Sequence, residues 1–254
     1  MSMELIVLPG AFGMRNISPF CLKMEMLLAQ LELPFTLGFE ADPRKAPKGK
    51  LPYLIADGKK IADSELIAGY LDELTNGGVY GSLSPVQLAQ GRAITRMVED
   101  HLYWIMVASR WLDDAWWPNI VEGFFGIAPK LVRPLVAGGA RKQVRRNYEG
   151  HGLGRHTLEE QKLLARHDLA ALDALAAETH GAFLFGREPV IFDFATAGFM
   201  AGALDNKPAT WFSELAKEYT VLSEYTERVQ AHMGIYGRFM DEQPADEPAQ
   251  ASAG

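Results

Sequence analysis

Apolar residues recur at two rhythms along this chain, and the change from one to the other divides it. Leu5-Ile6-Val7-Leu8 is a short apolar run that predicts a strand over residues 4–8, followed by a loop to residue 17. A helix is predicted over 19–31, with Phe20, Met24, Leu27, Leu28 and Leu31 on one apolar stripe. Strands follow at 35–39 and 51–55, separated by a Pro- and Lys-rich loop over 42–50 that has no periodicity. Ala56-Asp57-Gly58 reads as a hairpin turn into a strand over 60–62. A helix over 64–74 carries Leu66, Ile67, Tyr70 and Leu71 on one face. The order β-α-β-loop-β-β-α describes a small α/β unit.

After Gly77-Gly78 the strand rhythm disappears. Ser84-Pro85 opens a helix expected to run to residue 112, and Thr157-Leu158-Glu159-Glu160 forms a capping box for a helix to 178. Helices are also expected at 191–204 and 209–233. Residues 118–154 read as one or two broken helices and loops, with a basic patch at Arg141-Lys142 and Arg145-Arg146. The expected domains are therefore 1–78, an α/β unit, and 84–238, all-α. The acidic, Pro- and Ala-rich tail at 241–254 is expected to be disordered.

Composition narrows the function. The 254 residues are 48% apolar and 22% charged, enough for a core of normal size without disulfides or metal. A net charge of −7 argues against a nucleic-acid partner, which needs a basic surface. One cysteine excludes an internal disulfide and a two-cysteine redox couple, and fits a reducing compartment. Met1-Ser2-Met3-Glu4 does not begin a signal peptide, and no apolar run is long enough to span a membrane. A cytoplasmic protein without membrane partners is expected.

Three short signals in the first unit carry chemistry. Ser18-Pro19-Phe20-Cys21 begins the first helix, placing a hydroxyl among unpaired amides at a positive helix end, a position that favours an anion such as a thiolate. In Lys50-Leu51-Pro52-Tyr53, a proline interrupts a strand opening, which confines it to an edge, bulge or strand start and suggests a cis bond. Asp63-Ser64-Glu65 starts the next helix, where amides and a hydroxyl can grip a carboxylate.

With these motifs in this order, the chain resembles the cytosolic glutathione S-transferase superfamily over about residues 3–235. Lys48-Gly49-Lys50-Leu51-Pro52, Gly154-Arg155-His156-Thr157-Leu158-Glu159-Glu160 and Phe183-Leu184-Phe185-Gly186 look most similar to its failed-axon-connections and metaxin-like branch. The resemblance implies an α/β thioredoxin-like N-terminal domain, an all-α C-terminal domain, a homodimer, and glutathione as cosubstrate with no metal. It implies that Leu51, before cis-Pro52, pairs its backbone with the cysteinyl part of glutathione. Ser64 and Asp63 would hold the γ-glutamyl end, and Lys50 or Lys48 the glycyl carboxylate. Ser18 stands where the family carries its catalytic residue, with Cys21 the second choice.

Serine is far too weak a base to remove the thiol proton itself. A free thiol titrates near about 8.5, and a Ser18 donor plus the helix end could lower that by roughly one to two pH units. Serine would donate to the sulfur, and the sulfur would attack an electrophilic carbon. The plainer readings are an ordinary Ser-Pro helix cap and a packed Cys21. Trp104 and Trp111, seven apart, read first as a core stripe, and Trp116-Trp117-Pro118 as the better pocket wall. Trp104, Trp111 and Trp116 are the candidates for the electrophile pocket. His151, His156 and His167 lack metal-ligand spacing, and Gly150-His151-Gly152-Leu153-Gly154 is read as a linker. Asp193 is expected at a helix start, without a hydroxyl partner at Val190. The leading reading is a transferase conjugating glutathione to a hydrophobic electrophile. The alternatives are a non-catalytic interaction module and a glutathione-dependent oxidoreductase.

Overall fold

A computed structural model describes residues 2–240 apart from Ile127 and His180; the tail expected to be disordered lies outside the described residues. Four strands form one mixed sheet: β1 (Met3–Val7), β2 (Thr36–Phe39), β3 (Tyr53–Ala56) and β4 (Lys59–Ile61), in the order β2-β1-β3-β4. β1 runs parallel to β2, and β3 is antiparallel to both β1 and β4. Asp57 and Gly58 both have positive φ (46° and 81°), the backbone that a two-residue hairpin between β3 and β4 requires. α1 (Pro19–Gln30) and α2 (Ser64–Leu74) complete this thioredoxin-like unit.

The predicted single stripe on α1 is a correction. Cys21, Met24, Met26, Leu27 and Leu28 are all buried, on several faces, while Phe20 is only half-buried. The reason is a second layer: α8 (Ile191–Leu204), apolar all round and almost wholly buried, packs against α1 from the side away from the sheet. Gly198 permits the approach, since a Cβ there would sit 2.9 Å from the Pro19 carbonyl oxygen. The α1 N-terminus is thereby clamped between sheet and helices. On α2, Ile67, Ala68 and Leu71 are buried, whereas Leu66 is exposed.

The remaining helices are α3 (Pro85–Arg96), α4 (Tyr103–Trp111), α5 (Trp117–Phe125), α6 (Arg133–His151), α7 (Leu158–Ala177), α9 (Trp211–Ala216) and α10 (Thr220–Met233). The helix expected over 84–112 is interrupted by a π turn, Met97–Leu102, where the backbone register slips by a residue. Of the one or two helices and loops expected over 118–154, two helices are present, α5 and the longer α6, and α6 is tied down from outside: Arg141 Nε donates to the Trp111 carbonyl (2.8 Å) and its Nη2 to that of Leu112 (3.0 Å). Gly152, at φ 105°, ends it, so the glycine-rich segment is a helix stop. The helix expected over 209–233 is two, because the Leu222 amide near the start of α10 finds an external partner in Asp173 of α7 (2.8 Å). No helix among the described residues is long and apolar enough to cross a membrane.

His101 in the π turn is held by Asp168 of α7, and that hydrogen bond raises the imidazole above its ordinary pKa against the opposing effect of burial. A raised folded-state value contributes stability that is fully present below about pH 6.5 and is lost as pH rises through the raised value. Chemical denaturation of wild type and His101→Gln should therefore differ more at about pH 6 than at about pH 9. An equal difference at both would contradict the pairing.

Candidate functional site

Ser18 is extended (φ −105°, ψ 117°) and caps α1, with Pro19 at the first helical position. Its hydroxyl oxygen accepts from the Cys21 amide at 3.4 Å, and its own amide donates to Asn16 Oδ1 at 3.0 Å. Since it accepts there through a lone pair, the hydroxyl keeps its hydrogen to donate elsewhere. Cys21 behind it is fully buried, and burial pushes its thiol up to about 12 against the opposing hydrogen bond with Ser18. A thiol reagent at about pH 8 should leave native protein unmodified and label one thiol per chain after denaturation. Rapid labelling of the native protein would contradict this burial.

Ser18, Pro19 and Phe20 open onto a cleft of about 500 Å³. Lys50, Leu51 and Pro52 continue the same wall, followed by Asp63, Ser64 and Glu65 at the start of α2. The Leu51-Pro52 bond is cis. Leu51 precedes the ladder between β1 and β3, so among the described residues no backbone hydrogen bond engages its amide or carbonyl. Asp63 caps α2 by accepting from the Glu65 amide at 3.2 Å, and Ser64 is buried beside it. Two helix N-termini, α1 and α2, thus share one cleft with a hydroxyl at each. Of the cations in the preceding loop, Arg44 is paired with Asp42 (2.7 Å) and Lys45 with Glu40 (3.4 Å), while Lys50 reaches the cleft; Lys48 does not line it.

The opposite wall comes from the helical region. Tyr103, Trp104, Val107, Arg110 and Trp111 of α4 face the cleft, joined by Phe124 of α5. The Tyr103 ring meets Phe20 edge-on at 4.9 Å, closing one end. Trp116 requires a correction: it is buried away from the cleft, its indole N–H donating to the Pro208 carbonyl at 3.0 Å and its ring against Phe12 at 4.9 Å. Trp104 and Trp111, read first as core, are the indoles that line the cavity.

Charge at the cleft edge is arranged around Lys23, which is buried within α1. Its ammonium lies 2.6 Å from Glu99 of the π turn and 3.8 Å from Glu65, which in turn pairs with Arg96 at 3.4 Å. Burial raises the Glu99 carboxyl above its ordinary range, opposed by Lys23. This cluster ties α1, α2 and the π turn into one frame. The sequence reading missed Lys23, Glu99, Tyr103 and Arg110; a lysine inside a largely apolar helix was the available signal for the first.

Residues 19–116 match the family described as glutathione S-transferase N-terminal domain. Over 235 residues the chain is 31% identical to an isoprene-epoxide–glutathione S-transferase of Rhodococcus sp. (strain AD45), covering 89% of this chain and 96% of that protein. It is 27% identical over 191 residues to Failed axon connections of Drosophila melanogaster, covering 70% of this chain and 44% of that protein. The fold matches the crystal structure of a glutathione S-transferase from Methylobacterium radiotolerans in complex with glutathione sulfonate, with a TM-score of 0.59 at 16% identity, covering 96% of this chain and 100% of that one. The Rhodococcus relationship spans nearly all of both proteins, and on that ground this chain belongs to the glutathione S-transferase family.

Proposed function

We propose that the cleft binds glutathione and transfers its sulfur to the carbon of a small epoxide. The observation that carries this reading is the convergence of Ser18, the free Leu51 backbone and Ser64 on one cavity. The γ-glutamyl carboxylate sits at the α2 N-terminus, where the Ser64 hydroxyl and the first amides donate to it and the Asp63 carboxylate accepts from the ammonium. The Leu51 amide and carbonyl pair with the cysteinyl backbone, and Lys50 meets the glycyl carboxylate. This places the sulfur at the α1 N-terminus, where Ser18 donates its hydroxyl hydrogen and stabilises the thiolate.

The electrophile enters against Trp104 and Trp111, whose apolar faces exclude water from the thiolate. The thiolate attacks the epoxide carbon from the side opposite the breaking carbon–oxygen bond. The name of the Rhodococcus relative supports an epoxide as the class. A redox role centred on Cys21 is disfavoured because that thiol is buried and held neutral. By family habit the working species is a cytoplasmic homodimer. Incubation with glutathione and styrene oxide should yield the one-to-one thioether adduct by mass spectrometry, faster than the solution reaction. No acceleration with any of several small epoxides would sink the epoxide assignment.

A further inference from the structure

Residues 123–148 carry six cations and no acidic side chain, in a chain whose net charge is −7. α6 forms the later part of this stretch, and its two faces have different surroundings. Ala137, Arg141, Val144 and Tyr148 recur at helical spacing on the inner face. Ala137 and Tyr148 are buried, Val144 lines the cleft, and Arg141 also pairs with Asp114 at 2.7 Å. Leu135, Lys142 and Arg146 lie half a turn away on the outer face, flanked by Arg145, and all four are exposed. The turn leading into the helix adds Lys130, Leu131 and Val132, exposed as well. Leu131 is 95% and Leu135 80% exposed, the two most exposed large apolar side chains among the described residues. Arg133 turns back onto the Ala128 carbonyl at 3.1 Å, whereas Lys130, Lys142, Arg145 and Arg146 have no carboxylate partner among the described residues.

We propose that the outer face of α6 and the turn before it dock this protein on an anionic lipid surface. Leu131 and Leu135 enter the headgroup region, and Lys142, Arg145 and Arg146 meet lipid phosphates. Apolar side chains standing out in water gain by transfer into that region, and the cations on the same face draw it toward negative lipid. The charge selects this occupant over a second copy of the chain, because a twofold contact centred on the face would set cations against cations. The leucines select it over a nucleic acid, whose phosphate backbone is held by charge and hydrogen bonds and has no use for projecting apolar groups. Lying on a bilayer needs one apolar edge rather than a long apolar segment, so a helix too short and too polar to cross can still dock. None of the docking side chains lines the cleft, and the proposal is independent of the ligand bound there.

The test is sedimentation of the full chain with vesicles of phosphatidylcholine alone and of phosphatidylcholine and phosphatidylglycerol in equal parts. Wild type should sediment with the mixed vesicles and stay in solution with the neutral ones. The double variant Lys142→Glu, Arg146→Glu should bind the mixed vesicles about 25-fold more weakly, since each cation near an anionic surface contributes about fivefold. The double variant Leu131→Ser, Leu135→Ser keeps the charge and should bind about tenfold more weakly. A dye reports the contact directly. Cys21 is buried, so Leu135→Cys supplies the reactive thiol of the native protein. A polarity-sensitive dye there should shift to the blue on mixed vesicles, while the same dye at Lys59→Cys on β4 should not. Wild type that fails to sediment, equal binding to neutral vesicles, or an unshifted dye at position 135 overturns the proposal. So does a Leu131→Ser, Leu135→Ser variant that binds like wild type, or a DNA duplex bound as tightly as the mixed vesicles; either would make the face a site for polyanions in general.

Discussion

Replacing Asp193 with alanine is expected to cost about 3 kcal/mol or more, because it orphans three donors at once and each costs about 1–3 kcal/mol when left unsatisfied. Asp193 is fully buried at the start of α8; its oxygens accept from the Leu184 amide (2.8 Å), the Val190 amide (2.7 Å) and the Tyr225 hydroxyl. Only half of a capping box exists, since Val190 has no hydroxyl to return the bond. The loop before α8 and α10 behind it supply the rest. The loss should lower Tm by about 6–12 °C for a chain of this size. Because α8 supports α1, the damage should extend to the cleft. Thermal unfolding followed by circular dichroism decides it, and an unchanged Tm would contradict the role assigned to this carboxylate.

The second large effect belongs to Ser18→Ala, and it should fall on turnover more than on stability. The hydroxyl caps α1, so its loss costs about 1 kcal/mol of folding free energy. Toward the thiolate it is a hydrogen bond to a charged group, worth about 1.5–3 kcal/mol, or roughly 10- to 150-fold in rate at neutral pH. The sign with pH is fixed. If Ser18 donates to the bound thiolate as proposed, it lowers that thiol's pKa; removing it returns the value upward, and the alanine variant's rate should climb with pH where wild type has levelled off. Rates measured from about pH 6 to 9 with glutathione and an epoxide separate the two cases. A uniform loss at every pH would mean that Ser18 only shapes the loop.

The parts of this molecule governed by local chemistry were legible in its residues. α2 and α8 have the expected bounds, and the Thr157–Glu160 capping box is present in both directions (2.8 and 3.3 Å). Ser-Pro, Leu-Pro and Asp-Ser each carry a backbone constraint within a few residues, which is why they could be located before their cleft was. What stayed hidden depends on neighbours distant in sequence. α1 looked one-sided because α8 lies far along the chain, and the basic α6 has little apolar rhythm of its own. The π turn is a slip of register that spacing does not record. Trp116 and Trp104 are alike as residue types, and only packing against Phe12 and Pro208 sends the first away from the cavity.

Titration calorimetry of glutathione into wild type and Ser64→Ala tests the central claim most directly. In the proposed site the Ser64 side chain meets glutathione through its hydroxyl, and it does not provide the side-chain cap of α2, which is Asp63. The account predicts one glutathione bound per wild-type chain and a Kd about tenfold or more weaker in Ser64→Ala, the loss of one hydrogen bond to a carboxylate. Absence of binding to wild type, or equal affinity for the two proteins, would contradict it.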